Sequence, residues 1–80
     1  SFLVDLEQEI SKLRDELDRL RMMGISIDDL KVRLDAAAKL IEFARDKVSK
    51  NDLAGALLDI QQAREIVRQI WEEVANRRKP

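Results

Sequence analysis

Residues 3–20, LVDLEQEISKLRDELDRL, decide the fold class of this chain. Apolar residues recur in this stretch at alternating steps of three and four, a spacing that places them along one side of an α-helix. They are Leu3, Leu6, Ile10, Leu13, Leu17 and Leu20. The residues between them are mostly charged. The stretch therefore predicts an amphipathic helix with a coiled-coil-like seam, a narrow apolar stripe that packs against other helices.

The same spacing occurs in two later stretches. In the second predicted helix the apolar residues are Leu30, Leu34, Ala37, Ile41, Ala44 and Val48. In the third they are Leu53, Ala56, Ile60, Ala63, Val67, Ile70 and Val74. Each stripe can be hidden from water only by packing against another apolar surface. The chain therefore contains three helices that need one another.

Short polar turns separate the three stretches. Gly24 can adopt the left-handed conformation that ends many helices, so it predicts the end of the first helix. Ser26 is expected to cap the start of the second helix, and either Asn51 or Asp52 the start of the third. The predicted helices cover about residues 2–23, 27–49 and 52–77.

Helices of similar length joined by short turns favour antiparallel neighbours. We therefore predict an all-α fold: a single domain over residues 1–80, folded as an antiparallel up-down-up three-helix bundle with coiled-coil-like seams. With 80 residues and no Cys or His, the chain has neither disulfides nor imidazole metal sites to stabilise it. Its stability must come from dense apolar packing or from association with another chain.

Composition excludes several classes of function. Hydrophobic residues make up 45% of the chain, charged residues make up 39%, and the net charge is −1. This balance indicates neither a polyanion nor an acidic membrane surface as partner. The apolar runs are too short to span a bilayer, and no signal-peptide pattern is present. We therefore expect a cytoplasmic protein, or a fragment or small subunit of a larger assembly.

The residue types needed for most catalysis are missing. The chain has no His, Cys, Thr or Tyr and only four serines, of which Ser26 and Ser49 lie at predicted helix ends, so no catalytic triad can be built. Carboxylate pairs such as Glu72 and Glu73 lie in charged stretches, where a solvated role is the expected one. The two glycines are too far apart for a phosphate-binding loop. We expect no enzymatic activity, cofactor, metal site or small-molecule substrate.

The first helix also carries a charge pattern that favours self-association. With Leu3 at position a of a heptad, Glu9 and Glu16 occupy g positions, while Arg14 and Arg21 occupy e positions. In a parallel pair of these helices, each Glu would meet an Arg of the other copy. The alternative interpretation is that the leucine stripe fills the groove between the second and third helices of its own chain. The spacing of the residues leaves both alternatives open.

Trp71 is the only tryptophan, and it lies beside the apolar stripe of the third helix. Packing in the core is one interpretation. Anchoring a partner is the other, because tryptophan is enriched at binding hot spots. The predicted interface residues are Leu3, Leu6, Ile10, Leu13, Leu17, Leu20, Glu9, Arg14, Glu16, Arg21 and Trp71.

These patterns favour a non-catalytic helical module for protein–protein interaction or oligomerisation. The expected partner is another protein or a second copy of the chain in a homodimer. An alternative is an accessory nucleic-acid-associated domain that uses the basic residues of the third helix and the C-terminal tail. These residues are Arg64, Arg68, Arg77, Arg78 and Lys79. Nucleic acid is the weaker prediction, because no clearly basic face accompanies them.

Residues 51–66, NDLAGALLDIQQAREI, resemble the helix-turn region of tetratricopeptide repeats and of microtubule-interacting-and-transport domains. The matching positions are Asp52, Ala56, Leu57 and Ala63. The resemblance implies a peptide-binding or scaffold role and assigns no family. A tetratricopeptide array repeats about every 34 residues, and the sequence shows no such period.

Overall fold

A computed structural model describes residues 1–79 of the chain. It consists of three α-helices, α1 (Phe2–Met22), α2 (Asp28–Ser49) and α3 (Leu53–Arg78). The described residues form no strand, and the three helices pack against one another. The predicted all-helical class with three packed helices is confirmed, and the helix bounds agree with prediction to within one residue.

Two of the predicted turns have the expected chemistry. Gly24 adopts a left-handed φ of 84°, and the amide of Ile25 donates to the carbonyl of Leu20 at 3.0 Å. This is the Schellman ending of α1. At the end of α2, Asn51 takes the left-handed position with a φ of 65°. Asp52 therefore becomes the N-cap of α3, and its side chain accepts a hydrogen bond from the Gly55 amide at 3.0 Å.

The predicted cap of α2 is wrong. The helix begins at Asp28, and its N-cap is Ile27, which makes no side-chain capping hydrogen bond. Ser26 instead offers its backbone carbonyl to Arg77 at 2.9 Å. Ile27 is buried in the core, so packing at this turn outweighs the capping preference of serine.

The three helices share one apolar core. Leucine and isoleucine side chains of α1 pack there, with Leu13 and Leu20 fully buried. The α2–α3 contact is the most extensive of the three. Buried alanines on both helices, such as Ala37 on α2 and Ala63 on α3, allow this close approach because their side chains add little volume. The α2–α3 hairpin is thus the tighter unit, and α1 packs less extensively against it.

Contacts between charged side chains show where α1 lies along α2. Arg14 forms an ion pair with Asp35 at 2.8 Å, and Glu7, one heptad earlier, pairs with Arg45. Residues of α2 that follow Arg45 therefore lie beside the first turn of α1, which begins at Phe2.

A second set of contacts locates α1 along α3. Glu9 accepts a hydrogen bond from the Trp71 indole at 2.8 Å, and Glu16 pairs with Arg78. Phe2, the first helical residue, lines the same groove as Arg64. The turns of α3 that precede Arg64 thus have no part of α1 beside them. We call the last turn of α2 and the first turns of α3 the open end of the bundle.

Candidate functional site

The apolar stripe that α1 covers continues uncovered into the open end. On α2, positions seven residues apart share one face, and exposure rises along Leu34, Ile41 and Val48 from 0% to 2% to 43%. On α3, the same spacing gives 1% for Val74, 4% for Val67, a half-buried Ile60 and 63% for Leu53. The predictions that Val48 and Leu53 belong to buried stripes are therefore wrong, because nothing in residues 1–79 covers these two side chains.

Nearness to a helix end does not by itself cause this exposure. At the opposite end of the bundle, Ile27 and Leu30 at the start of α2 are almost completely buried. Leu20, near the end of α1, is fully buried as well. At this end the chain covers its own stripe residues, although Met22 and Met23 at the end of α1 remain 88% and 68% exposed.

We define the open face as Val48, Leu53, Leu57 and Ile60, with Phe2 at its border. Helical spacing places Leu57 beside Leu53 on the side of α3 that leads towards Trp71. Leu57 is 55% exposed, and Ile60 is half-buried. Phe2, which lines the same groove as Arg64, is 74% exposed. Soluble proteins seldom leave several large apolar side chains together in water without a partner for them.

A groove extends from the open face between α1 and α3. It has a volume of about 580 Å³, and Phe2, Leu6, Val67 and Trp71 form its apolar lining. Trp71 is half-buried against the core, and its indole N–H is held by the Glu9 carboxylate. Trp71 therefore packs on the core with part of its ring and faces the groove with another part.

Two charged residues near the ends of the open face have different surroundings. Asp52 is the N-cap of α3 and holds its carboxylate over Gly55, whereas Arg64 lies one turn after Ile60. Within residues 1–79, neither side chain forms an ion pair. Arg64 is exposed and lines the groove, so its guanidinium is free to meet a carboxylate of another molecule.

The predicted leucine seam lies inside the chain. Leu3 packs on the edge of the core. The other five members belong to the core itself: Leu6, Ile10, Leu13, Leu17 and Leu20. The alternative interpretation, in which the stripe of α1 packs on the other two helices of its own chain, describes this arrangement. While the bundle is closed, the seam is unavailable to a second copy.

The four charged residues predicted to pair between copies all have partners within the chain. Glu9 accepts from Trp71, and Arg14 pairs with Asp35. Glu16 is almost buried and lies between Arg19 and Arg78. Arg21 pairs with Asp28 at 3.3 Å. The structure thus uses these charges to hold α1 in place.

The arginines considered for nucleic-acid binding are mostly neutralised by carboxylates of the same chain. Arg68 pairs with Glu65 and Glu72 on α3. Arg77 bridges Asp29 and Glu73, and Arg78 pairs with Glu16. A phosphate would have to displace these carboxylates, so the arrangement favours a stabilising role for the arginines.

Two carboxyl groups have lowered pKa values for the same reason. A hydrogen bond from the Arg77 guanidinium lowers the pKa of Asp29 to about 2. A hydrogen bond from Arg68 lowers the pKa of Glu65 below its ordinary value. Both groups stay ionised at neutral pH, whereas a general acid needs a raised pKa.

One buried charge was missed by the sequence prediction. Asp59 is almost buried on α3, and its Oδ2 lies 2.7 Å from the Nζ atom of Lys47 without hydrogen-bond geometry. Lys47 comes from α2, so the pair ties the two helices together near the open end. The sequence signal, an Asp one turn after the buried Ala56, is too common to identify such a pair.

Within residues 1–79, no helix is long and apolar enough to cross a membrane. In the same part of the chain, acidic side chains nowhere gather in a group of three able to hold a metal ion.

Comparison with known proteins gives no match. No protein-family model fits the chain, and no curated protein and no solved structure is significantly similar to it. The function therefore has to be argued from the open face itself.

Proposed function

We propose that this chain is a non-catalytic interaction module whose open face binds an α-helix of a protein chain. The observation that carries the proposal is the loss of cover along two stripes. Leu34 on α2 is fully buried, but Val48, two heptads later, is exposed. Val74 on α3 is fully buried, but Leu53, three heptads earlier, is exposed. A partner that covers them completes the packing that α1 provides elsewhere.

The shape of the open face favours a helix as its occupant. Three of its apolar residues, Leu53, Leu57 and Ile60, recur at helical spacing along α3, and Val48 lies at the end of α2. An amphipathic helix binds an apolar groove through residues at positions i, i+3, i+4 and i+7. The apolar ring of Trp71 extends the contact area at one end.

The proposal includes an up-down-up order of the helices with a coiled-coil-like seam on α1. Support comes from cross-helix contacts. Arg77, near the end of α3, bonds Asp29 at the start of α2, and Lys47 near the end of α2 pairs with Asp59 in the first half of α3. An antiparallel α2–α3 pair explains both contacts.

The absence of catalysis is also part of the proposal. Support comes from the residue types, because the sequence has no His, Cys, Thr or Tyr. The lowered pKa values of Asp29 and Glu65 also suit ion pairs better than proton transfer.

The proposal is tested with two neighbouring leucines. Leu57 and Leu58 are similarly exposed, at 55% and 61%, but only Leu57 lies on the open face, since successive helical residues point about 100° apart. The wild-type chain, Leu57→Glu and Leu58→Glu are immobilised, and proteins that they retain from a cell extract are compared by mass spectrometry. We expect a helical protein that wild type and Leu58→Glu retain and Leu57→Glu loses.

Leu58→Glu is a matched control, because it changes the charge equally and removes an equally exposed leucine. Circular dichroism checks that all three chains have the same helical content. If the three chains retain the same proteins, and if none of them self-associates, the open face is not a binding surface.

A further inference from the structure

We infer that the helix bound at the open face belongs to another protein, carries an aspartate or glutamate within its apolar stripe, and pairs this carboxylate with Arg64. The inference rests on the proposed function, because it states the chemistry of the partner that the same surface binds. Arg64 then selects which helices bind.

One side of α3 offers such a helix a continuous stripe. Its members follow one another at alternating steps of four and three residues, so they lie along one side of α3. In order, they are Leu53, Leu57, Ile60, Arg64, Val67 and Trp71. From the first member to the last, the stripe rises by about 27 Å at 1.5 Å per residue. A single partner helix of about five turns therefore reaches from the open face into the groove beside α1.

The stripe can be reached along its length. Leu53 and Leu57 are exposed, and Ile60 and Trp71 are half-buried. Val67 packs in the core, but it also lines the groove. A helix laid along α3 can thus contact every apolar member of the stripe.

Arg64 is the only charged residue in the stripe. Its side chain is exposed, lines the groove and forms no ion pair within residues 1–79. Arg68, one turn later and beside the stripe, differs because it pairs with Glu65 and Glu72. A helix that covers the stripe would take the Arg64 guanidinium out of water, which is unfavourable unless a carboxylate meets it. A single charged residue in an apolar seam therefore selects the partner and its register.

Carboxylates of the same groove do not serve Arg64. Glu9 accepts a hydrogen bond from the Trp71 indole, and Glu72 pairs with Arg68. Asp5 lies on the α1 side of the groove, and it makes no ion pair with Arg64. The position opposite Arg64 is therefore left for a carboxylate of the partner.

A second copy of this chain does not fit the requirement. None of the three apolar stripes that the sequence predicts contains Asp or Glu. The stripe through Arg64 would bring a second arginine instead of an acid. The charge pattern therefore favours a helix of another protein.

A display library of helical peptides tests the inference on the full chain. All peptides share one amphipathic heptad pattern, and their stripe positions vary among apolar, acidic and basic residues. We expect wild type to retain peptides with Asp or Glu at one stripe position. Arg64→Glu should retain peptides with Lys or Arg there, and Arg64→Leu should retain peptides with an apolar residue there.

The affinity of one retained peptide then measures the charge pair. Its counterpart has glutamine in place of the acid, and fluorescence anisotropy measures both. Wild type should bind the acidic peptide about tenfold more tightly than the glutamine peptide. Arg64→Leu should show no preference for the acid, because the guanidinium that it meets is gone.

Two further variants serve as controls. Lys39→Glu makes the same change in net charge as Arg64→Glu, at an exposed residue without an ion pair within residues 1–79. It lies two residues after the buried Ala37 and hence on the outer side of α2, so it should retain the same peptides as wild type. Leu57→Glu should lose them, because it places a charge in the middle of the open face. Circular dichroism checks that all variants have the helical content of wild type.

The outcomes separate the inference from the proposed function. Peptides that Leu57→Glu loses but that show no preference for an acid would overturn the inference and leave the proposed function standing. Peptides that Leu57→Glu still retains would contradict both. If wild type retains no peptide, the inference is overturned, and the proposed function then stands only if the chain pairs with a second copy and Leu57→Glu abolishes that pairing.

Discussion

The two ends of this bundle are built from similar residues and differ in what covers them. At the closed end, Ile27 and Leu30 of α2 lie under Leu20 and the rest of the core. At the open end, Val48 and Leu53 continue the same kind of stripe in contact with water. The difference is the position of α1 along α3, because α1 contacts Arg78 at one end of α3 and begins beside Arg64, well short of Leu53, at the other.

The comparison teaches that an apolar stripe identifies a surface that must be covered but not the molecule that covers it. Over most of their length, α2 and α3 are covered by α1 of the same chain. At the open end, apolar side chains also favour burial, but no part of residues 1–79 covers them. An interaction surface is inferred there for this reason.

The largest expected effect compares one leucine from each region. Leu13→Ala should lower the free energy of unfolding by about 2–5 kcal/mol, because the side chain is fully buried and its removal leaves a cavity. Leu57→Ala should change it by about 0.5 kcal/mol or less at concentrations where the chain is monomeric. Urea denaturation followed by circular dichroism measures both. Equal losses for the two variants would break the distinction between the regions.

A smaller effect is expected at the border between the regions. Trp71→Phe keeps an aromatic ring against the core but loses the indole N–H that donates to Glu9. We expect a loss of about 1 kcal/mol, the net value of an ordinary hydrogen bond in a half-buried site. Chemical denaturation measures it, with Phe43→Leu, a change at an exposed aromatic residue, as the control. No loss in Trp71→Phe would mean that the hydrogen bond does not hold α1 at the groove.

The smallest expected effect is a change in the pKa of Asp29, at the closed end. The Arg77 guanidinium lowers the pKa of Asp29 from 3.8 to about 2. Because the folded-state pKa is depressed, the contact contributes stability above the ordinary pKa and loses it as pH falls towards 2. In Arg77→Gln, the pKa of Asp29 measured by NMR should return towards 3.8. The pKa of Glu65, which pairs with Arg68, serves as the control and should not move.

Much of the fold could be predicted from local patterns. The 3-4 spacing gave three helices, and Gly24 ended α1 as expected, because only a few residue types tolerate a positive φ. The cap of α2 could not be predicted in the same way. Ser26 had the right side chain, but burial of the neighbouring Ile27 decided where the helix begins.

The candidate site was only partly visible in the sequence. Trp71 was recognised as a possible anchor, whereas Val48 and Leu53 were assigned to buried stripes. Their spacing is the same as that of Leu34 and Val74, so no local signal distinguishes them. Whether such a residue is covered depends on the offset between helices that are distant in sequence.

The sequence by itself determined which residues form helices and which side of each helix is apolar, because both follow from spacing and turn chemistry within a few residues. It also determined that the chain has no His, Cys, Thr or Tyr. Only the tertiary structure decided that α1 buries its leucine seam in its own chain and leaves one end of the α2–α3 hairpin uncovered. That outcome depends on the relative position of whole helices, which is set by packing and ion pairs between distant residues such as Glu16 and Arg78.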